Sequence, residues 1–181
     1  MRIIAGKYRS RILKDLSHEG TRPTADRVRE ALFSKIQTDI KAAVVLDLFS
    51  GTGALGFESL SRGAKAVYLV DSNKSSCNLI KENNNLLVES ANIINADYVT
   101  ALTSFANKNL QFNVIFLDPP YKTDFAQKAL EIIAKNNLLA ENGVIVFEHD
   151  KENLNINIPE GLLIYDQKKY GITYLTYITK D

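Results

Sequence analysis

A repeated alternation between short apolar runs and helical patterns dominates the chain from Ala43 onward. Strands are predicted at Val44 to Leu48, Ala66 to Val70, Asn92 to Asn95, Val114 to Leu117 and Gly143 to Glu148. The intervening helices are predicted at Ala54 to Ser61, Asn73 to Leu87, Val99 to Asn107 and Phe125 to Asn136. Consecutive strands that are separated by helices pair in parallel through right-handed crossovers. The alternation therefore predicts an α/β fold with a mostly parallel sheet.

The end of the chain breaks this alternation, because two β-favouring runs follow each other without a helix. They are Leu162 to Asp166 and Ile172 to Thr179, joined by Gln167 to Gly171. So short a connection requires a hairpin, which makes the last strand antiparallel. At 181 residues and 45% hydrophobic composition, the chain suffices for one well-buried core. We therefore expect a single domain over 1–181, with a basic hairpin and helix in 1–39 and the catalytic core in 40–181.

Composition disfavours membrane, secretory and metal-binding classes of protein. No apolar run reaches the roughly 18 residues of a membrane span, and the N-terminus is too poor in apolar residues for the central region of a signal peptide. We therefore expect a soluble, cytoplasmic protein. The single cysteine, Cys77, excludes an internal disulfide and a multi-cysteine metal site. With only two histidines besides, no metal is expected.

A glycine-rich turn is predicted between the first strand and its helix. It reads Asp47-Leu48-Phe49-Ser50-Gly51-Thr52-Gly53-Ala54-Leu55-Gly56, and Asp71 follows at the end of the next strand. Glycines let the backbone approach a ligand closely, and an acid at the second strand's end can accept hydrogen bonds from both hydroxyls of a ribose. A dinucleotide or S-adenosylmethionine would satisfy this pattern. Asp47 favours S-adenosylmethionine, because a carboxylate repels a pyrophosphate but attracts an ammonium group.

Carboxylates recur where the successive strands end. Asp97 follows the third strand, within Asn95-Ala96-Asp97-Tyr98, and is placed to accept from an adenine amino group beside an aromatic ring. Asp118 follows the fourth strand. Each acid alone could be a helix cap or a first-turn charge. Together with Asp47 and Asp71, they predict a pocket for a cationic ligand rather than an anionic one.

The fourth strand is followed by Asp118-Pro119-Pro120-Tyr121. Two prolines cannot continue the N–H ladder of a strand, so the chain leaves the sheet at the edge where α/β folds bind ligands. A carboxylate and a free carbonyl can accept both hydrogens of a planar amino group, and a tyrosine ring can stack on a nucleobase. The alternative is that the prolines only terminate the strand while Tyr121 covers the core.

Positive charge is concentrated at the N-terminus, where six of the seven arginines fall within the first thirty residues. They accompany a predicted hairpin of Arg2 to Ile4 with Arg11 to Leu13, and a helix that Thr24 is placed to cap. Arginine suits bidentate phosphate contacts. The asymmetry predicts a basic face for a polyanion, although a solvated surface would also explain it.

These features resemble the class I S-adenosylmethionine-dependent methyltransferases over roughly Ala43 to Thr179, and Asp118-Pro119-Pro120-Tyr121 looks like the motif of members that methylate an exocyclic amine. Three further segments resemble the RsmD family, bacterial enzymes that methylate the 2-amino group of a guanine in small-subunit ribosomal RNA. These segments are Arg2-Ile3-Ile4-Ala5-Gly6, Arg22-Pro23-Thr24-x-Asp26-Arg27-Val28-Arg29-Glu30-Ala31-Leu32-Phe33 and Lys169-Tyr170-Gly171-x-Thr173. Ala5, Ser50 and Thr52 depart from the family's frequent residues without removing an expected contact.

The resemblance implies a Rossmann-like seven-stranded sheet of order 3-2-1-4-5-7-6 with the last strand antiparallel, and S-adenosylmethionine as the methyl donor. The expected catalytic residues are Asp118, Pro119, Pro120 and Tyr121. Cofactor contacts are expected from Asp47, Phe49, Ser50, Gly51, Thr52, Gly53, Asp71, Ser72, Asp97, Tyr98 and Asp118. RNA contacts are expected from Arg2, Lys7, Arg9, Arg11, Arg22, Arg27 and Arg29.

The expected partner is ribosomal RNA or an assembling small ribosomal subunit, bound by a monomer. Three alternatives stay open at this point. A DNA adenine or protein glutamine methyltransferase shares the chemistry and is disfavoured by the N-terminal resemblance. A nicotinamide-dependent oxidoreductase would use the glycine turn but has no task for Asp47 or Asp118. An RNA-binding module without catalysis would not need the acids.

Overall fold

A computed structural model of the chain describes residues 1–15, 23–120, 123–151 and 156–181. The helices are α1 (Pro23–Lys35), α2 (Gln37–Ile40), α3 (Ala54–Ser61), α4 (Lys74–Asn84), α5 (Tyr98–Asn107) and α6 (Phe125–Lys135). The strands are β1 (Val44–Asp47), β2 (Ala66–Asp71), β3 (Asn92–Asn95), β4 (Phe112–Leu117), β5 (Leu139–His149), β6 (Leu162–Tyr170) and β7 (Thr173–Lys180). No helix within these ranges combines the length and the apolar character that crossing a bilayer requires.

All seven strands form one sheet in the order β3-β2-β1-β4-β5-β7-β6. The first five strands pair in parallel, while β7 is antiparallel to both β5 and β6. The expected order and the antiparallel last strand are thus confirmed. The final hairpin is tighter than expected, because β6 continues through the polar residues Gln167 to Tyr170 after a register shift between Ile164 and Asp166. The turn is reduced to Gly171 and Ile172.

The two faces of the sheet bury separate apolar clusters, as expected when side chains alternate along each strand. Val45, Val114 and Val146 point to the face covered by the N-terminal segment, α1 and α3, which we call the N-terminal face. Their neighbours on the same strands, including Leu46 and Ile145, point to the face covered by α5 and α6. Both faces are covered, which explains why the central strands are apolar throughout.

The first fifteen residues form a hairpin-like extension that packs on the N-terminal face. An antiparallel bridge joins Arg2 and Ile12, which confirms the predicted hairpin. Ile3, Tyr8 and Leu13 lie in the same buried cluster as Val45 of the central strand. Because the extension and the sheet share one apolar core, we propose that residues 1–181 form a single domain.

The carboxylate of Glu58, on α3, holds the extension in place. This side chain is fully buried and accepts hydrogen bonds from the backbone N–H groups of Ile4 at 2.7 Å and Ala5 at 3.0 Å. The Arg62 guanidinium donates to it at 2.7 Å. Gly6 then turns the chain with φ +83°, where an added Cβ would lie 1.9 Å from the Ser61 carbonyl oxygen. Only glycine therefore fits at this contact.

Helix α1 begins at Pro23, so Thr24 lies inside the first turn and the predicted cap at Thr24 is wrong. Proline is favoured at the first helical position, because its missing N–H has no partner there in any case and its φ already suits the helix. The apolar face of α1 is as predicted: Val28, Leu32 and Phe33 are buried.

Candidate active site

A cleft of about 330 Å³ opens at the carboxyl ends of β1, β2 and β4. It is lined by Phe49, Asp71, Ser72, Asp118, Pro119 and Pro120. All six were predicted as site residues, and the parallel strands bring them together although Phe49 and Pro120 are 71 positions apart in the sequence. This is the edge of an α/β sheet at which ligands bind.

The glycine turn that forms one wall of this cleft is held in a single conformation. Gly51 and Gly53 have φ of +53° and +80°, and a Cβ on Gly53 would lie 2.6 Å from the Phe57 ring. The Gly51 N–H donates to Asp71 Oδ2 at 2.9 Å, which ties the turn to the end of β2. Ser50 Oγ lies 2.7 Å from the Asp47 carbonyl and 3.0 Å from the Val70 carbonyl, and donates to them. Ser50 and Gly51 therefore shape the turn through bonds that need no ligand.

The opposite side of the turn is fastened by Asn83, a buried residue of α4. Its side-chain amide donates to the Thr52 carbonyl at 3.3 Å and to the Lys14 carbonyl at 3.1 Å. Its oxygen accepts from the Lys14 N–H at 2.7 Å. The sequence showed only an asparagine-rich stretch here, yet Asn83 joins the glycine turn to the end of the basic extension.

Asp47 lies inside the protein beside this turn and does not line the cleft. It accepts a hydrogen bond from the Gly56 N–H at 3.1 Å. Burial raises the pKa of Asp47 to about 7; the bond from Gly56 lowers it and the nearby Asp71 charge raises it further. A contact between Asp47 and a ligand ammonium group stays a prediction. The buried position of Asp47 favours a contact through a bridging water over a direct one.

Asp71 and Asp97 both have structural tasks at the ends of their strands. Asp71 Oδ1 accepts from the Asn73 N–H at 2.7 Å, next to the contact with Gly51. Asp97 caps α5, accepting from the Thr100 N–H at 3.0 Å and its hydroxyl at 2.5 Å. These bonds from Thr100 lower the pKa of Asp97. The contacts of Asp71 with ribose and of Asp97 with adenine stay predictions. Asp71 lines the cleft, and Asp97 precedes Tyr98.

Three aromatic rings pack together beside the cleft. Phe49 and Tyr98, both predicted cofactor contacts, have ring centroids 5.5 Å apart, and Phe125 of α6 stacks on Phe49 at 6.3 Å. Phe125 and Tyr98 approach to 5.1 Å. Phe125, the first residue of α6, was not among the predicted site residues. Such rings offer flat apolar surface to a purine.

Asp118 lines the cleft, and among the described residues no positive charge contributes to its pKa. Burial, the Glu148 carboxylate and Asp47 together raise the pKa of Asp118 well above its ordinary range. Burial also raises the pKa of Glu148, at the end of β5. Among the described residues, neither carboxylate receives a hydrogen bond. Sequence reasoning missed Glu148, although an acid at the end of a buried strand was the signal that selected Asp118.

The proline segment presents a backbone acceptor next to Asp118. Pro119 is buried and Pro120 is exposed. Thr123 Oγ1 donates to the Pro120 carbonyl at 2.8 Å, whereas the Pro119 carbonyl accepts no hydrogen bond from the described part of the chain. Tyr121 lies outside the described residues, so its predicted stacking role stays a prediction.

The predicted RNA-contacting side chains divide into exposed and buried ones. Arg2, Lys7, Arg9, Arg11 and Arg27 are exposed. Arg29 is buried, and its guanidinium donates to the Arg2 carbonyl at 2.7 Å and to Asp26 at 2.9 Å. Arg29 was predicted to contact RNA; the structure gives its guanidinium these protein partners instead. Arg22 lies outside the described residues.

The described residues contain no group of three or more histidine, cysteine, aspartate or glutamate side chains that could hold a metal ion.

Comparison with protein families finds a match to the model described as "Conserved hypothetical protein 95", over residues 1–179. Ribosomal RNA small subunit methyltransferase D of Haemophilus influenzae is 39% identical over 175 residues, which cover 95% of this chain and 90% of the relative. The protein of the same name from Escherichia coli K12 is 34% identical over 179 residues, covering 98% of this chain and 89% of the relative.

Solved structures show the same architecture. A protein from Escherichia coli superposes with a TM-score of 0.86 at 28% identity, covering 100% of this chain and 98% of the other. The Thermus thermophilus 16S rRNA N2 G1207 methyltransferase, solved with AdoMet and guanosine, gives a TM-score of 0.73 at 21% identity. That alignment covers 92% of this chain and 45% of the Thermus protein, and at this identity it supports the fold alone.

Proposed function

Because this chain belongs to the RsmD family, whose model matches it over residues 1–179, we propose that it methylates the exocyclic 2-amino group of a guanine in small-subunit ribosomal RNA. S-adenosylmethionine is the methyl donor. The observation that carries the proposal is the free Asp118 carboxylate beside the free Pro119 carbonyl, inside the acidic cleft. Two acceptors at one place match the two hydrogens of an amino group.

The residues of the cleft fit a cationic donor. Asp71 and Asp118 line it, so a pyrophosphate would meet two carboxylates, and Asp47 lies behind the glycine turn. A sulfonium with an ammonium group would be attracted by the same charges. When bound, S-adenosylmethionine supplies an electrophilic methyl group. Phe49 and Tyr98 would contact its adenine, and Asp71 its ribose.

Asp118 orients the attacking nitrogen. The lone pair of an exocyclic guanine nitrogen is delocalised into the ring, so the nitrogen is a poor nucleophile. By accepting its two N–H bonds, Asp118 and the Pro119 carbonyl would direct the lone pair toward the methyl group and favour positive charge on nitrogen. Transfer of the methyl group would leave the donor as a neutral thioether, and the nitrogen would pass one proton to the Asp118 carboxylate that accepts its N–H bond. Alignment of this kind contributes up to roughly 7–11 kcal/mol in favourable cases.

The exposed cations of the extension and α1 supply the RNA-binding surface in this proposal. Arg9, Arg11 and Arg27 are exposed and can meet phosphates without unpacking the core. Arg2 is exposed as well, and its guanidinium lies 3.4 Å from the Asp26 carboxylate. Each phosphate contact releases condensed counterions, so RNA affinity should fall steeply as salt concentration rises. Neutralising Arg9 and Arg11 together should reduce both the affinity and its salt slope. Unchanged binding in that variant would exclude this surface.

The reaction is tested by incubating the purified chain and S-adenosylmethionine, labelled in its methyl group, with small-subunit RNA, assembled subunits, DNA and protein. Digestion to nucleosides and mass spectrometry should find the label in N2-methylguanosine and map one guanine. Asp118→Ala is the inactive control. Label in adenine or in a protein glutamine would replace the proposal by one of its rivals. Binding of a nicotinamide cofactor instead of S-adenosylmethionine, measured by calorimetry, would exclude the whole class.

A further inference from the structure

Glu148 is the nearest acidic neighbour of Asp118, and the register of the sheet explains why. Leu117 of β4 pairs with Phe147 of β5, so the next residues on these parallel strands, Asp118 and Glu148, lie side by side. Side chains alternate along a strand. Asp118 therefore shares the N-terminal face with Phe116, and Glu148 shares it with Val146. Adjacent strands are about 4.8 Å apart, which lets two such carboxyl groups reach neighbouring atoms of one ligand.

Protein stability does not explain this pair. Both carboxylates are mostly buried, and no described residue donates a hydrogen bond to either. In the part of the chain that the structure describes, no cation contributes to the pKa of Asp118. The causes are burial and two further acids, of which Glu148 has the larger effect. Unpaired buried charges cost free energy, so an arrangement of this kind indicates a ligand with adjacent hydrogen-bond donors.

Guanine has such donors on its Watson–Crick edge, where the N1–H stands next to the 2-amino group. Adenine carries an amino group as well, but its N1 is an acceptor. A carboxylate that faces N1 of adenine would place two lone pairs against each other. Asp118 and the Pro119 carbonyl suit any exocyclic amine, so they give no reason to prefer guanine. The second carboxylate does, because only a donor at N1 satisfies it.

We propose that Glu148 determines base specificity by accepting the N1–H of the target guanine while Asp118 and the Pro119 carbonyl hold its amino group. This inference rests on the proposed function and adds the residue that distinguishes guanine from other amino-purines. Glu148 is then a specificity-determining residue that touches the substrate, and it takes no part in holding the methyl donor.

The test alters both partners of the proposed hydrogen bond, N1 of the base and the side chain of Glu148. Two RNAs are prepared that differ at the mapped guanine alone, one with guanine and one with 2-aminopurine, which keeps the 2-amino group but has an acceptor at N1. The kcat/KM for methyl transfer is measured for both RNAs with the wild-type protein and with Glu148→Gln. We expect the wild type to prefer guanine by about 10- to 100-fold, the value of one hydrogen bond to a charged group.

In Glu148→Gln the amide can accept from guanine or donate to 2-aminopurine, so the preference should fall to within about threefold. Asp118→Asn is the matched control: it should slow transfer to both RNAs by the same factor and keep the preference. Affinity for S-adenosylmethionine, measured by calorimetry, should be unchanged in Glu148→Gln. Its melting temperature shows whether the variant is folded.

Two results would overturn the inference about Glu148, and a third would overturn the proposed function. A wild-type protein that accepts 2-aminopurine as well as guanine would overturn the inference without any variant. The inference is also overturned if Glu148→Gln lowers kcat/KM equally for both RNAs, including a complete loss of activity. Glu148 would then have a structural role. If the wild type methylates neither RNA, the proposed function itself fails, which is a different result.

Discussion

Glu58 and the pair formed by Asp118 and Glu148 are the same kind of side chain in two different surroundings. Glu58 is fully buried and receives hydrogen bonds from Ile4, Ala5 and Arg62. Asp118 and Glu148 are mostly buried and receive none from the described residues. A buried carboxylate whose hydrogen-bond donors all come from its own chain stabilises the fold. A buried carboxylate without such donors is a candidate for binding a ligand.

The difference follows from what each carboxylate faces. Glu58 faces backbone N–H groups of a segment that must be held, so its charge is compensated once the chain folds. Asp118 lines the cleft, with Glu148 beside it on the next strand, and the Glu148 carboxylate disfavours ionisation of Asp118. Replacing Glu58 should therefore affect folding, and replacing Asp118 should affect turnover.

The largest effect is expected for Asp118→Asn. Turnover at saturating S-adenosylmethionine and RNA should fall by about 10²- to 10³-fold, because the amide keeps an acceptor but lacks the charge that favours positive charge on the attacking nitrogen. The free energy of unfolding should stay equal or rise, since an uncompensated buried charge has been removed. Turnover assays, calorimetry of cofactor binding and urea denaturation measure the three quantities. Equal losses of turnover and cofactor affinity would contradict the orienting role.

Glu58→Ala should destabilise the protein by about 3 kcal/mol, because two backbone donors and the Arg62 guanidinium lose a buried partner. Urea denaturation gives the change in unfolding free energy. Glu82→Ala is the control: Glu82 forms an exposed ion pair with Lys14 and should cost less than about 1 kcal/mol. If Glu58→Ala and Glu82→Ala lost similar unfolding free energy, Glu58 would not have the structural role that distinguishes it from Asp118.

Asn83→Ala should cost about 2 kcal/mol, because buried backbone groups of Thr52 and Lys14 lose their partner. Affinity for S-adenosylmethionine should weaken slightly in addition, since the glycine turn is less firmly held. Asn85, two residues further and exposed, is the matched control. Asn85→Ala should change unfolding free energy by no more than about 0.5 kcal/mol, measured in urea. If both variants behave alike, Asn83 does not link the turn to the extension.

Asp47 is intermediate between Glu58 and the pair of Asp118 and Glu148, because it accepts one hydrogen bond. Its pKa is about 7. Its pKa is higher in the folded chain than the roughly 3.9 of an unfolded one, so the stability it contributes is complete below about pH 4 and is lost as pH rises to 7. The unfolding free energy of the wild type, relative to Asp47→Asn, should fall by at most about 1.4 kcal/mol per pH unit in that window. Urea titrations at pH 5, 6 and 7 measure this difference. A constant difference would mean that burial does not raise the pKa of Asp47.

Local patterns were enough to predict the frame of this protein. The alternation of apolar runs and helices gave the parallel sheet, because strands joined by helices have few ways to pair. The positions of Asp71 and Asp118 at strand ends placed them at one edge, since parallel strands finish on the same side. Part of the strand bounds was missed, as in Gln167 to Tyr170, where polar residues pair with β7 and hide the strand pattern.

The amino-acid sequence by itself determined the order of elements, the edge that carries the site and the residues that line the cleft, because periodicity and turn chemistry act within a few positions. Only the tertiary structure decided which acids are satisfied. Glu58 meets Ile4 across fifty-four positions, and Glu148 meets Asp118 through the pairing of two strands. Whether a carboxylate has a partner depends on such distant neighbours, and no local pattern records them.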